Sequence, residues 1–530
     1  MIRQRFGNTT TVVDVLVIGG GITGAAIAYE ASSRGLRVAL VERSDYGGAT
    51  SAATGKLIHG GLRYLKQFDI ALVRESLAER RTLMSIAPNL VEPIGMVLPD
   101  PGLVERVGLT AYDTLSADRN RIPDRSKHIP RHRILNHDEL VRRGLPELNS
   151  GALFHDAVMP FPERLTLAFL RSAAANGAVM ANGVAVEEII GSHGRIVGAA
   201  VTDTVHGETG EIRAAVTVNA TGPWARDVLA ASTATAAVAG PAPRVRSEGI
   251  YLITRELSPT MVLTVSGHSH FSFAPWRGLS LIGPTETPYH GEVADWRLTR
   301  SSIEAFIASI NASSMLPVQL RIDDVRAAYG GLRPLTEQAG EDTYHASRAS
   351  ELVDHRVDGL AGIVSATGGK YTTSRAFAEK AVDTLARNEG LRVRPSQTAT
   401  TMLSGCARID TARDTTSSPF SAQSAAIVAQ LYGAQAPAVA ALAAEQPELV
   451  RPVTDDGVPL AAVAYSARHE SPRSLSDLLL RRTGIGTVGV PSDADLTAMA
   501  RVAGAELGWD EARIKREVTA ATVESRVPQD

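Results

Sequence analysis

The spacing of apolar positions changes several times along the chain, and each change marks an element. Asp14-Val15-Leu16-Val17-Ile18 is a short apolar run that breaks at Gly19-Gly20-Gly21-Ile22-Thr23-Gly24. The Ala-rich stretch Ala25 to Ser33 follows with helical character, Gly35 ends it, and Leu36 to Val41 is a second apolar run with Glu42 at its end. The order predicted is strand, tight turn, helix, parallel strand. Asp69 to Ala87 carries Ile70, Leu72, Val73, Leu77, Leu83 and Ile86 between charges, the pattern of an amphipathic helix. Leu165 to Asn176 predicts another helix, closed by Gly177. Ala178 to Ile190 alternates like a strand, and Ala214 to Ala220 is a buried-strand run.

From Val245 to Gly283 the pattern turns to short alternating strands: Ile250 to Thr254, Met261 to Val265, His270 to Ala274 and Ser280 to Ile282. That is an antiparallel sheet, distinct from the opening unit. Asp358 to Thr373 returns to strand, glycine turn and helix. Thr398 to Ser418, rich in Thr, Ser, Asp and Arg, reads as a linker. Helical patterns then run to the end, over Ala422 to Tyr432, Ala436 to Ala444, Leu460 to His469, Ser474 to Arg482, Asp493 to Leu507 and Asp510 to Val527. The fold class is α/β plus α, and no internal repeat is visible.

At 530 residues the chain exceeds one ordinary core, so two or three domains are expected. With 44% hydrophobic and 21% charged residues it has the composition of a soluble globular protein. A net charge of -3 gives no support to nucleic-acid binding. Its basic residues are nearly all arginine; lysine occurs only at 56, 66, 127, 370, 380 and 515. A lysine in such a chain flags a position where a guanidinium does not replace an ammonium. The lone Cys406 excludes an intramolecular disulfide and a Cys-based metal cluster, and it fits a reducing compartment. Met1 to Thr11 is short and polar, so no signal peptide is expected, and no run approaches the roughly 20 apolar residues of a membrane span. Peripheral membrane contact stays open. Between Tyr112 and Arg133 the chain is basic, with Arg119, Arg121, Arg125, Lys127, His128, Arg131, His132 and Arg133. A solvated loop is the better reading of it, and an anion- or headgroup-facing surface the other.

Three clusters carry chemistry. Gly19, Gly21 and Gly24 let the backbone turn sharply beside a pyrophosphate at a helix N-terminus, and Glu42 arrives where a carboxylate accepts ribose hydroxyls. This predicts a dinucleotide without saying which one. The second cluster is Gly47-Gly48-Ala49-Thr50-Ser51 and Lys56-Leu57-Ile58-His59-Gly60-Gly61-Leu62-Arg63-Tyr64, a small-residue loop suited to phosphates beside a dense set of polar groups. The third is Tyr329-Gly330-Gly331-Leu332-Arg333-Pro334, then Arg348, then Ala366-Thr367-Gly368-Gly369-Lys370-Tyr371-Thr372-Thr373. Two arginines and a lysine around glycine turns form an anion clamp.

These runs resemble the FAD-dependent sn-glycerol-3-phosphate dehydrogenases, respiratory enzymes that oxidise glycerol 3-phosphate to dihydroxyacetone phosphate. Further residues carrying the likeness are Asn219-Ala220-Thr221-Gly222-Pro223-Trp224, Leu281-Ile282-Gly283-Pro284-Thr285-Glu286-Thr287, Arg468-His469-Glu470 and Leu478-Leu479-Leu480-Arg481-Arg482-Thr483. The resemblance implies a Rossmann-like FAD-binding domain (1–90, 151–240 and 330–397), an inserted antiparallel-sheet substrate domain (91–150 and 241–329), the linker 398–418 and an all-α cap, 419–530. It implies that FAD is held by Gly19, Gly21, Ile22, Thr23, Gly24, Glu42, Arg43, Thr50, Ser51, Lys56 and Leu57. His59, Gly60, Ala220, Thr221, Gly222, Trp224, Gly368, Gly369, Lys370, Tyr371 and Thr372 complete that set. Arg63 and Tyr64 would face substrate, and Arg333, Arg348 and Lys370 would hold its phosphate. His59, Arg63 and Tyr64 are the polar candidates beside the reacting hydroxyl, with the base unassigned. The expected partners are a phosphorylated polyol and a quinone or other acceptor. A homodimer, cytoplasmic or peripheral on the inner face of the membrane, is implied, and no metal.

One departure stands out. Where the family has Lys-Gly-Ser-His, this chain has Arg246-Ser247-Glu248-Gly249, so a substrate-contacting imidazole is missing. Glu248, His268 or His270 are the candidates to replace it. The departure leaves open a related polyol phosphate, such as erythritol 4-phosphate. A flavin amine or amino-acid oxidase explains Lys370 less well, and a catalytically silent FAD-binding protein has no use for the clamp.

Overall fold

The structure, a computed structural model, describes the chain except residues 1–2, 8–9, 66–67, 241–245, 264–270, 314–318, 334–349, 410–417 and 530, and except the side chain of Arg63. A first sheet runs in the order Glu351–Asp354, Ile363–Thr367, Glu208–Asn219, Thr10–Ile18, Val38–Glu42, Val179–Asn182. Along this order all neighbours are parallel except the first pair, and Val184–Ser192 and Arg195–Asp203 extend the sheet antiparallel from Glu208–Asn219. The strand Thr10–Ile18 is central, with Val15 opposite both Val38 and Val216. Its alternate side chains serve two cores. Val15 and Val17 face the helices Ile22–Ser33, Pro162–Ala175 and Ser374–Glu389, while Leu16 and Ile18 pack with Ile189, Ile196 and Ile212. A parallel strand covered on both faces reads as an unbroken apolar run, which is why its sequence shows no alternation.

The second sheet runs Thr287–Tyr289, Arg246–Arg255, Leu279–Gly283, Ser272–Trp276, Met261–Leu263, Glu92–Pro99, Gly151–Val158, Leu57–Ile58, and Val325–Arg333 also pairs with Arg246–Arg255. Three of its members differ from the expected partition. Leu57–Ile58 and Gly151–Val158 fall in segments expected of the cofactor unit and Val325–Arg333 crosses the expected boundary at residue 330, yet the ladders of all three run in this sheet. Strand periodicity reports which face is buried but not which partner a strand finds. The strand expected over Ala178 to Ile190 is two, Val179–Asn182 and Val184–Ser192, because Gly183 turns the chain at φ +67° between them.

The amphipathic helix is Ile70–Ile86, with Asp69 as its N-cap accepting from the Leu72 amide at 3.1 Å. The expected linker is tied down where described: the amides of Leu403 and Ala407 donate to the Ile86 carbonyl and to Asn89. The helices from residue 422 onward share one core, including Val428, Leu442, Val463, Leu478, Met499 and Ala503. The stretch Ala422–Glu445 contains an 18-residue window with a mean hydropathy of 1.4 and is, by length and composition, apolar enough to cross a membrane, contrary to the sequence expectation. It is two helices, Ala422–Tyr432 and Ala436–Glu445, that contribute Val428, Leu431 and Leu442 to that core. The helix expected over Ser474 to Arg482 is a π-helical turn, Asp477–Arg482.

Of the basic stretch, Arg119, Lys127 and His132 are tied into the fold, whereas Arg121, Arg125, His128, Arg131 and Arg133 are exposed. Arg119 is buried and donates to the carbonyls of Ile129, Asp113 and Ser116, Lys127 Nζ donates to Val91 O at 3.0 Å, and His132 pairs with Asp113.

Candidate functional site

The glycine turn closes as its sequence requires. Gly19 takes φ +108°, and a Cβ on Gly24 would overlap the Gly19 carbonyl oxygen. Both Glu42 carboxylate oxygens accept a backbone amide at 2.7 Å, from Gly20 and from Ser44, which fixes the acid across the turn. Burial raises the Glu42 carboxyl above the usual range, and the two amides oppose that shift. Gly21 caps the helix without a side-chain bond, and the Ile22 amide donates to Ser51 Oγ at 3.0 Å. A helix N-terminus with a glycine cap leaves amides and the positive dipole end for an anion.

From this turn a cleft of about 1590 Å³ extends between the two sheets. Gly19, Gly21, Ile22, Thr23, Glu42 and Arg43 line one end, with Ala220, Thr221, Gly222 and Trp224. Thr50, Ser51, Leu57, His59, Gly368, Gly369, Tyr371 and Thr372 line the middle. The middle is stitched across the chain: Thr50 Oγ1 donates to Leu332 O at 2.7 Å, and the His59 amide donates to Thr372 Oγ1 at 3.2 Å. A Cβ on Gly368 would overlap the Thr23 hydroxyl, so the 368–372 turn lies against the start of the first helix. The lining fits a dinucleotide, with an acid and glycine turn at one end and small residues along the length.

Three expected cofactor contacts are not in the lining: Gly24, which packs on the Gly19 carbonyl, Lys56 and Gly60. Lys56 is 1% exposed, with Nζ 4.7 Å from the Trp276 ring centre and 5.1 Å from that of Tyr329. Its backbone is left-handed, at φ +57°. Burial pulls its ammonium below the usual lysine range, and the nearby Glu163 charge opposes this. Gly60 sits behind the cleft wall, where a Cβ would lie 2.7 Å from Leu77 Cγ, and Gly61 takes the lining position. The Gly60 amide donates to Asp156 Oδ1 at 3.3 Å, and that carboxylate also accepts Tyr112 Oη at 2.7 Å and pairs with buried Arg80.

At the far end Lys370 Nζ lies 3.9 Å over the Tyr64 ring and donates to Ser76 Oγ at 3.3 Å. Arg333 lies across the strand Arg246–Arg255. Its Nη1 donates to Ser247 Oγ at 2.6 Å and Glu248 O at 3.2 Å, its Nη2 donates to Thr285 O at 2.8 Å, and Glu286 Oε1 is 3.8 Å away. A Cβ on Gly249 would be 2.5 Å from Arg333 Nη2, so the guanidinium fills the space of the missing side chain. Lys370, Tyr64, Arg333 and Glu286 all line the cleft.

Glu248, one of the three candidates to replace the imidazole, accepts Trp296 Nε1 at 2.7 Å and is not in the lining. Strand alternation sends Ser247 and Gly249 to one face and Glu248 to the other. Glu286 takes the place in the cleft instead. Asp156 and Tyr251, also in the lining, carried no motif. Arg348, His268 and His270 lie outside the described residues, as does the Arg63 side chain.

Residues 14–384 match the family described as FAD dependent oxidoreductase, and residues 396–514 match the C-terminal domain of alpha-glycerophosphate oxidase. Glycerol-3-phosphate dehydrogenase 2 of Mycobacterium bovis is 32% identical over 99% of this chain and 90% of its own. Glycerol-3-phosphate dehydrogenase of Synechocystis is 31% identical over 96% of this chain and 95% of its own. Among solved structures, the glycerol-3-phosphate dehydrogenase of Bacillus halodurans complexed with FAD matches with a TM-score of 0.73 and 27% identity, covering 97% of this chain and 94% of that one.

Proposed function

The chain belongs to the family of FAD-dependent glycerol-3-phosphate dehydrogenases, and on that premise we propose that it oxidises the secondary alcohol of sn-glycerol 3-phosphate to the ketone of dihydroxyacetone phosphate. The observation that carries this reading is one continuous cleft, with a dinucleotide turn at one end and Lys370 and Arg333 at the other. FAD, when bound, supplies a two-electron acceptor for the hydride leaving the carbinol carbon. Glu42 and the Ile22–Thr23 helix start hold its adenosine half, and Gly368 to Thr372 line the way to the reacting end. Arg333 and Lys370 bind the substrate phosphate and so fix which carbon is presented. The hydroxyl proton passes to the His59 imidazole, the base in the cleft lining between the glycine turn and Tyr64.

Gly249 does not enlarge the cleft, because the Arg333 guanidinium occupies the space it leaves. This supports the three-carbon substrate over a longer polyol phosphate, with Glu286 accepting substrate hydroxyls in place of an imidazole. A membrane quinone would be the acceptor that reoxidises the bound cofactor. Supporting that acceptor, Phe68, Ile70, Val104 and Val107 line the cleft mouth and are largely exposed, beside Leu103. Membrane contact is therefore assigned to this apolar rim rather than to the Arg119–Arg133 stretch, and Phe68→Asp is expected to weaken vesicle binding.

The test is anaerobic. Glycerol 3-phosphate should bleach the flavin of the purified protein, and unphosphorylated glycerol should not. Lys370→Ala and Arg333→Ala should raise the KM for the phosphate ester. Faster bleaching by erythritol 4-phosphate than by glycerol 3-phosphate would overturn the substrate assignment.

A further inference from the structure

The turn after Glu42 is held from the other end of the chain. Asp45 lies three residues beyond that acid, and both line the cleft. Arg482 of the C-terminal helical unit donates to both Asp45 oxygens, from Nη2 to Oδ1 at 2.7 Å and from Nη1 to Oδ2 at 2.9 Å. Arg481 Nε donates to Oδ2 at 2.6 Å, and Asn182 Nδ2 donates to Oδ1 at 2.9 Å. The Arg482 side chain is 0% exposed and that of Asp45 3%. Both arginines come from the π-helical turn Asp477–Arg482, whose wider winding lets neighbours in sequence reach one carboxylate. Asp477 neutralises Arg481, and Arg482 Nε donates to the Glu470 carbonyl at 3.0 Å.

From Asp45 the contacts continue to the glycine turn. The Tyr46 ring packs against Gly20, where a Cβ would lie 2.8 Å from Tyr46 Cδ1. The Gly47 amide donates to the Gly20 carbonyl at 3.0 Å, and the amides of Gly20 and Ser44 meet on Glu42. Residues 43–48 form no strand or helix, so these anchors define their path. A buried ion pair adds little net stability but is costly to break, and what it supplies is one geometry.

We propose that Arg481 and Arg482 are positioning residues for the cofactor, acting through Asp45 on the Glu42 turn, so that the C-terminal helical unit sets how tightly FAD is held. The proposal rests on the FAD reading above and assigns that unit a part in the same site.

The experiment titrates apoprotein with FAD by flavin fluorescence and records the melting temperature of each apoprotein. Asp45→Asn and the milder, partly exposed Arg481→Gln are compared with Asp456→Asn. That control loosens a different tie of the C-terminal unit, the Arg277–Asp456 ion pair. Asp45→Asn and Arg481→Gln should weaken FAD binding by about tenfold or more, the scale of lost outer-shell support. The apoprotein of Arg481→Gln should melt with that of Asp456→Asn, and Asp456→Asn should bind FAD as the wild type does. Unchanged FAD affinity in Arg481→Gln, or an equal loss in Asp456→Asn, overturns the proposal. Should Asp45→Asn fail to fold, Arg481→Gln decides alone. A wild-type protein that binds no FAD would instead overturn the proposed function.

Discussion

Replacing Gly249 by alanine isolates what the missing side chain does. The new Cβ would stand 2.5 Å from Arg333 Nη2 and 2.9 Å from Cζ. Ordinary contact is about 3.5 Å, so the guanidinium must withdraw by about 1 Å. The Nη2 bond to Thr285 O, now 2.8 Å, then leaves hydrogen-bonding range, and the Nη1 bond to Ser247 Oγ is strained. Hydrogen bonds to a charged group contribute roughly 1.5–3 kcal/mol each, and water entering the cleft restores part of that. A net loss of about 1–2 kcal/mol in Arg333 seating corresponds to a rise of about five- to thirtyfold in KM for glycerol 3-phosphate. Because the displaced group is the end of a flexible side chain, fold stability should change by less than about 0.5 kcal/mol. The phosphate contact is the same in ground and transition states, so kcat should hold while kcat/KM falls. Steady-state kinetics with an artificial acceptor, alongside thermal unfolding, reads both quantities. An unchanged KM, or a fall in kcat at constant KM, would refute the account of how Gly249 and Arg333 work together.

Three further outcomes follow from burial, charge and close packing elsewhere in the fold. Burial pushes Glu470 upward, but the charges of Arg164 and Arg171 outweigh it and hold the carboxyl at about 2. A depressed native value stabilises above the unfolded value, so roughly 3 kcal/mol at most is lost as pH falls from about 4.5 towards 2. Urea midpoints for the wild type should fall over that window, and those of Glu470→Gln should fall less. Gly24→Val should purify without flavin, read from the ratio of visible to ultraviolet absorbance, because its side chain meets the fixed Gly19 backbone; a yellow variant would contradict this. Cys406 is buried, which pushes its thiol up to about 12, so maleimide at pH 8 should label it far more slowly in the folded protein than in urea.

The opening strand, turn and helix were legible because periodicity, glycine placement and the acid at Glu42 agree with one another. Most helices of the C-terminal unit were legible from their apolar periodicity, whereas the one expected over Ser474 to Arg482 is a π-helical turn. Strand membership was not. Gly151–Val158 looks like any buried strand, and only its pairing with Glu92–Pro99 puts it in the second sheet. Lys56 sits within a specific motif, yet its side chain turns into an aromatic pocket built by Trp276 and Tyr329, more than 200 residues away. Glu286 could be recognised as a cleft carboxylate only once Arg333 was seen to lie beside it. Local chemistry shows in a sequence, whereas which distant partner receives a side chain is decided by tertiary packing.

The strand order of the first sheet bears on how the chain is made. Thr10–Ile18 finds its partner on one side in Val38–Glu42, close behind it, but on the other in Glu208–Asn219. That strand in turn waits for Ile363–Thr367. A nascent chain therefore carries an open parallel edge through most of its synthesis, and parallel pairing across such distances is slow. The unpaired edge is a template for aggregation, so chains truncated before residue 367 should be the ones that chaperones retain and proteases clear.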